Sequence, residues 1–189
     1  ITGDTLNINY QDSKIKDILI KKNAKVYNSR YAKIEKNKQQ QAFQDILEAK
    51  KIFLDFNDSK LTYIELDGMA KTKFNIIKDT LINGLNILSG DSILIHLNNN
   101  EIEDLYSKGG ARGEFYPEKN NSEVEYEIFY KADEIKYSVL AEESYLIDNA
   151  EVEYGNTILQ AGEIFADWNK NILEARIKDD VYPSVGGFG

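Results

Sequence analysis

The sequence predicts an all-β protein, an elongated stack of antiparallel strands, and three observations carry that prediction. A six-residue pattern, apolar-x-small-x-x-apolar, occurs five times, at Ile1–Leu6, Leu47–Ile52, Leu88–Ile93, Tyr130–Ile135 and Leu159–Ile164, with spacings of 46, 41, 42 and 29 residues. Self-similarity at such a period marks a fold assembled from one repeated unit. Apolar alternation follows the copies, as in Leu6-x-Ile8-x-Tyr10 and Ile93-x-Ile95-x-Leu97, which is the period of a strand with one buried face. Only two Pro interrupt the 189 residues, and short Asn, Asp, Ser and Gly clusters punctuate the apolar runs as turns do.

Each unit reads as a short up-and-down run of three strands. In the first, Leu6, Ile8 and Tyr10 form a strand and Gln11-Asp-Ser-Lys14 a turn; Ile15, Ile18 and Ile20 form a second strand. Lys21-Lys-Asn23 turns the chain into a third, with Ala24 and Val26. Adding 46 to each number carries this unit onto the second without a gap: Ile52, Leu54 and Phe56, then Asp58-Ser-Lys60, Leu61, Ile64, Leu66 and Ala70. Adding 87 gives the third: Ile93, Ile95, Leu97, Ile102, Leu105 and Ala111, with Ser107 in the place of Ile20. Matched apolar places are what a buried face demands, because a one-residue slip would turn every side chain outward.

The fourth unit keeps its opening strand, Ile135-x-Tyr137-x-Val139, and regains its third at Ala150-x-Val152-x-Tyr154; the fifth runs from Ile164-x-Ala166-x-Trp168 through Asn169-Lys-Asn171 to Leu173. Pro183 and Gly186-Gly187 end the pattern. Return segments at Gln41–Leu47, Thr80–Leu88 and Val124–Tyr130 lead into the next motif, the last alternating cleanly as a strand. The polar stretch Tyr31–Gln41 reads as a hairpin loop, and Gly109-Gly110 as a bulge in a strand. The units are 1–46, 47–87, 88–129, 130–158 and 159–189, expected to form a single domain.

Composition narrows function. Cysteine is absent, which excludes disulfides and Cys-based metal or redox chemistry. No run approaches the roughly 18 apolar residues of a membrane span. The net charge of −9 argues against a nucleic-acid partner. Residues 1–94 hold 15 Lys+Arg and 12 Asp+Glu, net +3, whereas residues 95–189 hold 8 and 20, net −12. The chain starts inside a repeat without Met, as a mature or trimmed piece does, so any targeting peptide is expected outside it.

No catalytic constellation emerges, and no cofactor motif or metal site is expected. His96, the only histidine, falls at an outward strand place between inward Ile95 and Leu97. Glu142-Glu143 and Asp179-Asp180 read as exposed charge at turns. Tyr126, Tyr130, Tyr137, Tyr145 and Tyr154 read as strand aromatics of a core, with a sugar-stacking face as the alternative. A carbohydrate-acting site using Glu142 and Asp148 would need two carboxylates roughly 5–9 Å apart. Small inward residues, Ala24, Ala70, Ala111, Gly113, Ala150 and Ala166, permit either tight packing or room for an acyl chain.

The pattern apolar-x-Ala/Gly-x-x-Ile, alternating strand, Asn/Asp turn and apolar strand ending near Ala resembles the OstA-like (LptA-like) repeat of lipopolysaccharide transport. It is clearest in Ile147–Tyr154 and Leu159–Ala175, and Gly109–Pro117 resembles a strand end of such domains. The resemblance covers residues 1–178 and implies a β-jellyroll of V-shaped strand pairs. It also implies a periplasmic place in the Gram-negative envelope, no chemistry, an interior that shields the acyl chains of lipopolysaccharide, and end-to-end joining to other Lpt-type jellyroll domains by strand addition, building a bridge from inner to outer membrane. It is compatible with a free-standing bridge, an anchored component or the periplasmic part of a larger LptD-like protein. On that reading Ile8, Ile18, Leu54, Ile64, Ile95, Leu105 and Ile128 line the acyl-chain channel. The rival expectation is a structural or adhesive β-solenoid whose core is filled.

Overall fold

Most of the alternating apolar residues become strand, and the strands are longer than the sequence suggests. The computed structural model describes residues 1–35, 38–78, 80–99, 101–119, 124–170 and 172–187. Eleven strands follow in order: β1 (Thr5–Gln11), β2 (Lys14–Ala32), β3 (Gln41–Asn57), β4 (Lys60–Lys78), β5 (Leu81–Asn98), β6 (Glu101–Pro117), β7 (Ile128–Ser138), β8 (Glu143–Tyr154), β9 (Thr157–Asp167), β10 (Ile172–Arg176) and β11 (Ser184–Gly187). They make one antiparallel sheet in sequence order from β1 to β10, with β11 pairing β9 beside β10. The all-β stack expected from the repeats is therefore present. Every substantial contact between elements is between ladder neighbours, as in other arrays of repeated units.

Single-sheet topology raises the question of what buries its apolar face. Ile20, Ile52, Leu66, Ile93, Ile95 and Ile164 are fully buried, yet no helix or second sheet exists among the described residues to cover them. The sheet covers itself by folding along a crease that crosses every long strand. On β2, β4, β6 and β8 the crease is a bulge of two consecutive left-handed residues, Lys22-Asn23, Gly68-Met69, Gly109-Gly110 and Asp148-Asn149, all with φ between 50° and 81°. The ladder register slips at each of these places, which is how an inserted residue bends a strand. On one side of the crease lies a first arm, with Ile52 and Ile93; on the other a second arm, with Leu47 and Leu88. Both contribute to one core cluster.

The six-residue motif is the odd-strand half of this crease. Period two would place apolar residues at 47, 49 and 51, but the third comes at Ile52, so the inward parity jumps by one where the strand bends. The small residue sits at the fold line because two sheet faces converge there. Ala24 pairs with Ala49, Ala70 with Gly90, Ala111 with Ala132 and Ala150 with Ala161, making a row of small side chains along the crease. All seven alanines are buried.

Three expectations are corrected here. The second and third strands of each unit are the two arms of one bent strand, so Lys21-Lys-Asn23 is a bulge and not a chain reversal. The motif lies mid-strand in β3, β5, β7 and β9, where it was expected to open a strand. The expected strand over Val124–Tyr130 begins only at Ile128. The bulge at Gly109-Gly110 is present as read; of the loop read over Tyr31–Gln41, Tyr31 and Ala32 end β2 and Gln41 opens β3, and Lys36, Asn37 and Asn171 lie outside the described residues. Hairpin turns follow the sequence. Asp12-Ser13 and Asp58-Ser59, all left-handed, close two-residue loops, the geometry that matches strand twist.

At the far end of the second arm the β3–β4 ladder stops at Ile46 and Lys73, although both strands continue. Arg30 and Asp45 fill the seam. The Arg30 Nε donates to Asp45 Oδ2 at 2.6 Å, the Asn75 backbone N–H donates to Asp45 Oδ1 at 2.9 Å, and Arg30 donates to the Asn75 carbonyl. The pair supplies the partners that the missing ladder would have given, which is why a carboxylate is tolerated at a buried place. Beyond it, Lys33 crosses to β5, exchanging backbone bonds of 2.8 Å with Thr80 and Ile82.

Candidate functional site

The fold creates one extended apolar surface, the inner face between the arms. Six of the seven residues singled out by alternation fall into a single cross-strand row on the first arm. Ile8 pairs with Ile18, Ile18 with Leu54, Leu54 with Ile64, Ile64 with Ile95 and Ile95 with Leu105. Ile128 is not in this row; it lies on the second arm between Phe115 and Tyr154. His96 and Leu94 point to the opposite face, and the His96 ring is 5.4 Å from that of Tyr63.

Burial changes along the row. Ile95 is completely covered, whereas Ile8 on β1 is 38% exposed, with Leu6 at 49% and Tyr10 at 65% on the same face. At the other end Leu173 on β10 and Val185 on β11 are 48% and 72% exposed. The interior is thus packed through its middle and surfaces at both ends of the stack, where no further strand covers it among the described residues.

The second arm carries polar groups that alternation alone did not reveal. The Tyr130 ring lies directly over Gly113, where a Cβ would overlap it, and Asn86 Nδ2 donates to the Tyr130 hydroxyl at 2.7 Å. Burial pushes the Tyr130 phenol up to about 12, so it stays a neutral acceptor and donor across the physiological range. Gly113 on an inward place opposite an aromatic was the signal available in the sequence. On the first arm, next to the crease, Ser107, the exception in the repeat, is fully buried and donates to the Ser89 carbonyl at 3.3 Å.

Of the carboxylates weighed for chemistry, Asp148 and Asp179 line one open cavity with Asp133 and Lys178, and Glu142 and Glu143 are not part of it. Asp148 lies in the crease bulge and its Oδ1 is 2.6 Å from Lys178 Nζ; Glu142 ends the β7–β8 connection. Glu143 Oε2 accepts from the Tyr145 hydroxyl at 3.3 Å. Among the described residues no three His, Asp or Glu stand together as metal ligands, and no helix is long and apolar enough to cross a membrane. The aromatic residues divide. Tyr130 and Tyr137 are inward, Tyr126 and Tyr154 meet edge-on at 5.6 Å near the second arm's tip, and Tyr145 lies against Phe165 at 4.9 Å on the outer face.

A creased antiparallel sheet with an apolar interior open at its ends is the architecture of the LptA-like β-jellyroll. The chain is similar to a solved structure of that class, "LptH, the LptA homologous periplasmic component of the conserved lipopolysaccharide transport device from Pseudomonas aeruginosa". The TM-score is 0.57 at 17% identity, over 77% of this chain and 95% of that one. No protein-family model and no curated protein matches the sequence, so the likeness is one of fold.

Proposed function

We propose that this chain is a non-enzymatic carrier module for lipopolysaccharide or a related glycolipid, working in the periplasm of a Gram-negative envelope. The observation that carries the reading is the inner apolar row. It crosses six strands without a polar side chain and surfaces at the β1 end. An acyl chain laid along Ile8, Ile18 and Leu54 would gain about 0.8 kcal/mol per buried CH₂, entering where Leu6, Ile8 and Tyr10 are exposed. Leu105, Ile64 and Ile95 would line its deeper course, and Ile128 would face it from the second arm. Because Ile95 is covered by packing, deeper entry requires the arms to part, which the small residues at the crease permit without a bulky hinge contact.

Strand edges supply the means of assembly. Among the described residues β1 pairs only with the first arm of β2, and past the Thr2–Lys25 bridge no strand pairs with the outer edge of Val26–Ala32. An open edge of that length invites a strand from a neighbouring jellyroll domain. The net +3 of the first half and −12 of the second favour joining of unlike ends.

A filled scaffold is the second reading, favoured by the complete burial of Ile20, Ile52, Leu66, Ile93 and Ile164. Native mass spectrometry of the protein purified from a Gram-negative envelope separates the two. The carrier reading expects a copurifying glycolipid that leaves on detergent exchange. A bare mass, with no uptake of an apolar fluorescent probe by the native protein, would establish the scaffold instead.

A further inference from the structure

The outer face of the first arm carries a second apolar surface that acyl-chain binding does not use. One cross-strand row there runs Leu19, Phe53, Glu65, Leu94, Tyr106, Lys136, Tyr145 and Phe165, each paired with the next from β2 to β9. A one-sided antiparallel sheet is expected to be polar on its outer face. Here six of eight consecutive places are Leu, Phe or Tyr, and those six are only half-buried. No second layer covers them among the described residues; Arg176 of β10 lies 5.6 Å from the Phe165 ring centre and Lys136, within the row, 5.4 Å from that of Tyr106. Contiguous apolar patches of this kind rimmed by charge mark interaction sites.

The rim indicates the partner. On the tip side the adjacent row of the same face runs Asp17, Asp55, Tyr63, His96, Asp104, Ser138 and Glu143, with no Lys or Arg in it. On the crease side the adjacent row, Lys21, Lys51, Asp67, Ser92, Lys108, Glu134, Ile147 and Glu163, sets three cations against three anions, with Lys51 3.0 Å from Asp67, and Arg176 reaches Glu163 at 3.3 Å. The unbalanced charge is therefore acidic and lies on one flank only. Desolvation on this face, with Glu134 beside it, pushes the Tyr106 phenol up to about 12.

We propose that this stripe is a docking surface for a basic amphipathic helix of a partner protein. The helix would lie across the strands with its apolar face on Phe53, Leu94, Tyr106, Tyr145 and Phe165 and its Lys or Arg flank over Asp17, Asp55 and Asp104. The dimensions agree. Seven strand spacings of about 4.8 Å make a stripe about 34 Å long, which a helix rising 1.5 Å per residue spans in about 22 residues. An anionic membrane fits less well, because the acidic flank would meet headgroups of its own sign. A second copy of this chain fits less well too, since it would bring a second acidic row.

Fluorescence anisotropy with a labelled 22-residue helical peptide, Leu along one face and Lys beside it, tests the proposal on the intact protein. Saturable binding is expected, weakened at least tenfold by Asp55→Lys with Asp104→Lys, which exchange exposed charges without touching the core. Tyr106→Ser is expected to weaken it comparably, with folding checked by circular dichroism. Lys71→Glu on the outer face of the second arm is expected to change it less than twofold. The same peptide with Glu in place of Lys is expected to bind only the doubly substituted protein. Absence of saturable binding, or equal binding of the Lys and Glu peptides by the unaltered protein, would overturn the proposal. So would sedimentation of the unaltered protein with phosphatidylethanolamine–phosphatidylglycerol vesicles, or its self-association, that is lost in the Tyr106→Ser protein. None of these outcomes depends on whether the interior holds lipid.

Discussion

Ile95→Asp is expected to destabilise the protein by upward of about 4 kcal/mol, whereas Leu94→Asp, one residue away, is expected to cost about 1 kcal/mol or less. Ile95 is fully buried between Ile64 and Leu105 on the inner face. No cation stands near enough in that row to pair with a new carboxylate, so the group would remain charged and desolvated or take up a proton at a comparable cost. Leu94 is half-exposed on the outer face between Glu65 and Tyr106, where an aspartate keeps its water. Urea unfolding at constant m-value reads the difference as a shift in midpoint. Equal shifts for the two substitutions would show that the inward register is misassigned.

Ala111→Leu is expected to cost about 1–3 kcal/mol, although it replaces one apolar residue by another in a chain rich in leucine. Ala111 is fully buried and pairs with Ala132 in the crease row, where the two arms converge. The added side chain must force either the arms apart or the adjacent Gly109-Gly110 bulge out of its left-handed geometry. The effect is opposite in sign to what area burial alone would give, since a larger apolar group buries more surface. Urea unfolding again provides the measurement; a neutral or stabilising result would mean that the crease is not closely packed.

The repeat and the inward register were legible because both follow from strand periodicity. Leu6, Ile8 and Tyr10 and their counterparts 46 and 87 residues later occupy matched positions in the folded chain, and Ile8, Ile18, Leu54, Ile64, Ile95 and Leu105 became one row without adjustment. The crease was harder to read. Its left-handed pairs are chemically unlike one another, Lys-Asn, Gly-Met, Gly-Gly and Asp-Asn, and the residue types that suit a bulge also suit a chain-reversing turn. A bent strand therefore read as two strands. The clue was the odd spacing from Ala49 to Ile52 and from Gly90 to Ile93, which breaks period two in the middle of an apolar run.

Ile128 went to the opposite arm for the same reason: parity identifies a face, but only the bend decides which arm that face belongs to. The outer stripe escaped because alternation treats every outward place as solvent, and Phe53, Tyr106 and Phe165 are read as exceptions one at a time. Only the cross-strand register shows that they are neighbours. Asp45 was hidden in a similar way, since its burial depends on the β3–β4 seam and on Arg30, fifteen residues away in sequence.

Photo-crosslinking from β1 tests the acyl-chain channel most directly. β1 is an exposed edge strand, so a benzoylphenylalanine can replace Asn7, Ile8 or Asn9 in turn without disturbing the core. Only the middle position faces the interior, where Ile8 pairs with Ile18. In a Gram-negative envelope, position 8 is expected to crosslink to lipopolysaccharide or its glycolipid equivalent, and positions 7 and 9 are not. Equal yields from all three, or none from position 8 in the folded protein, would contradict a lipid path between the arms.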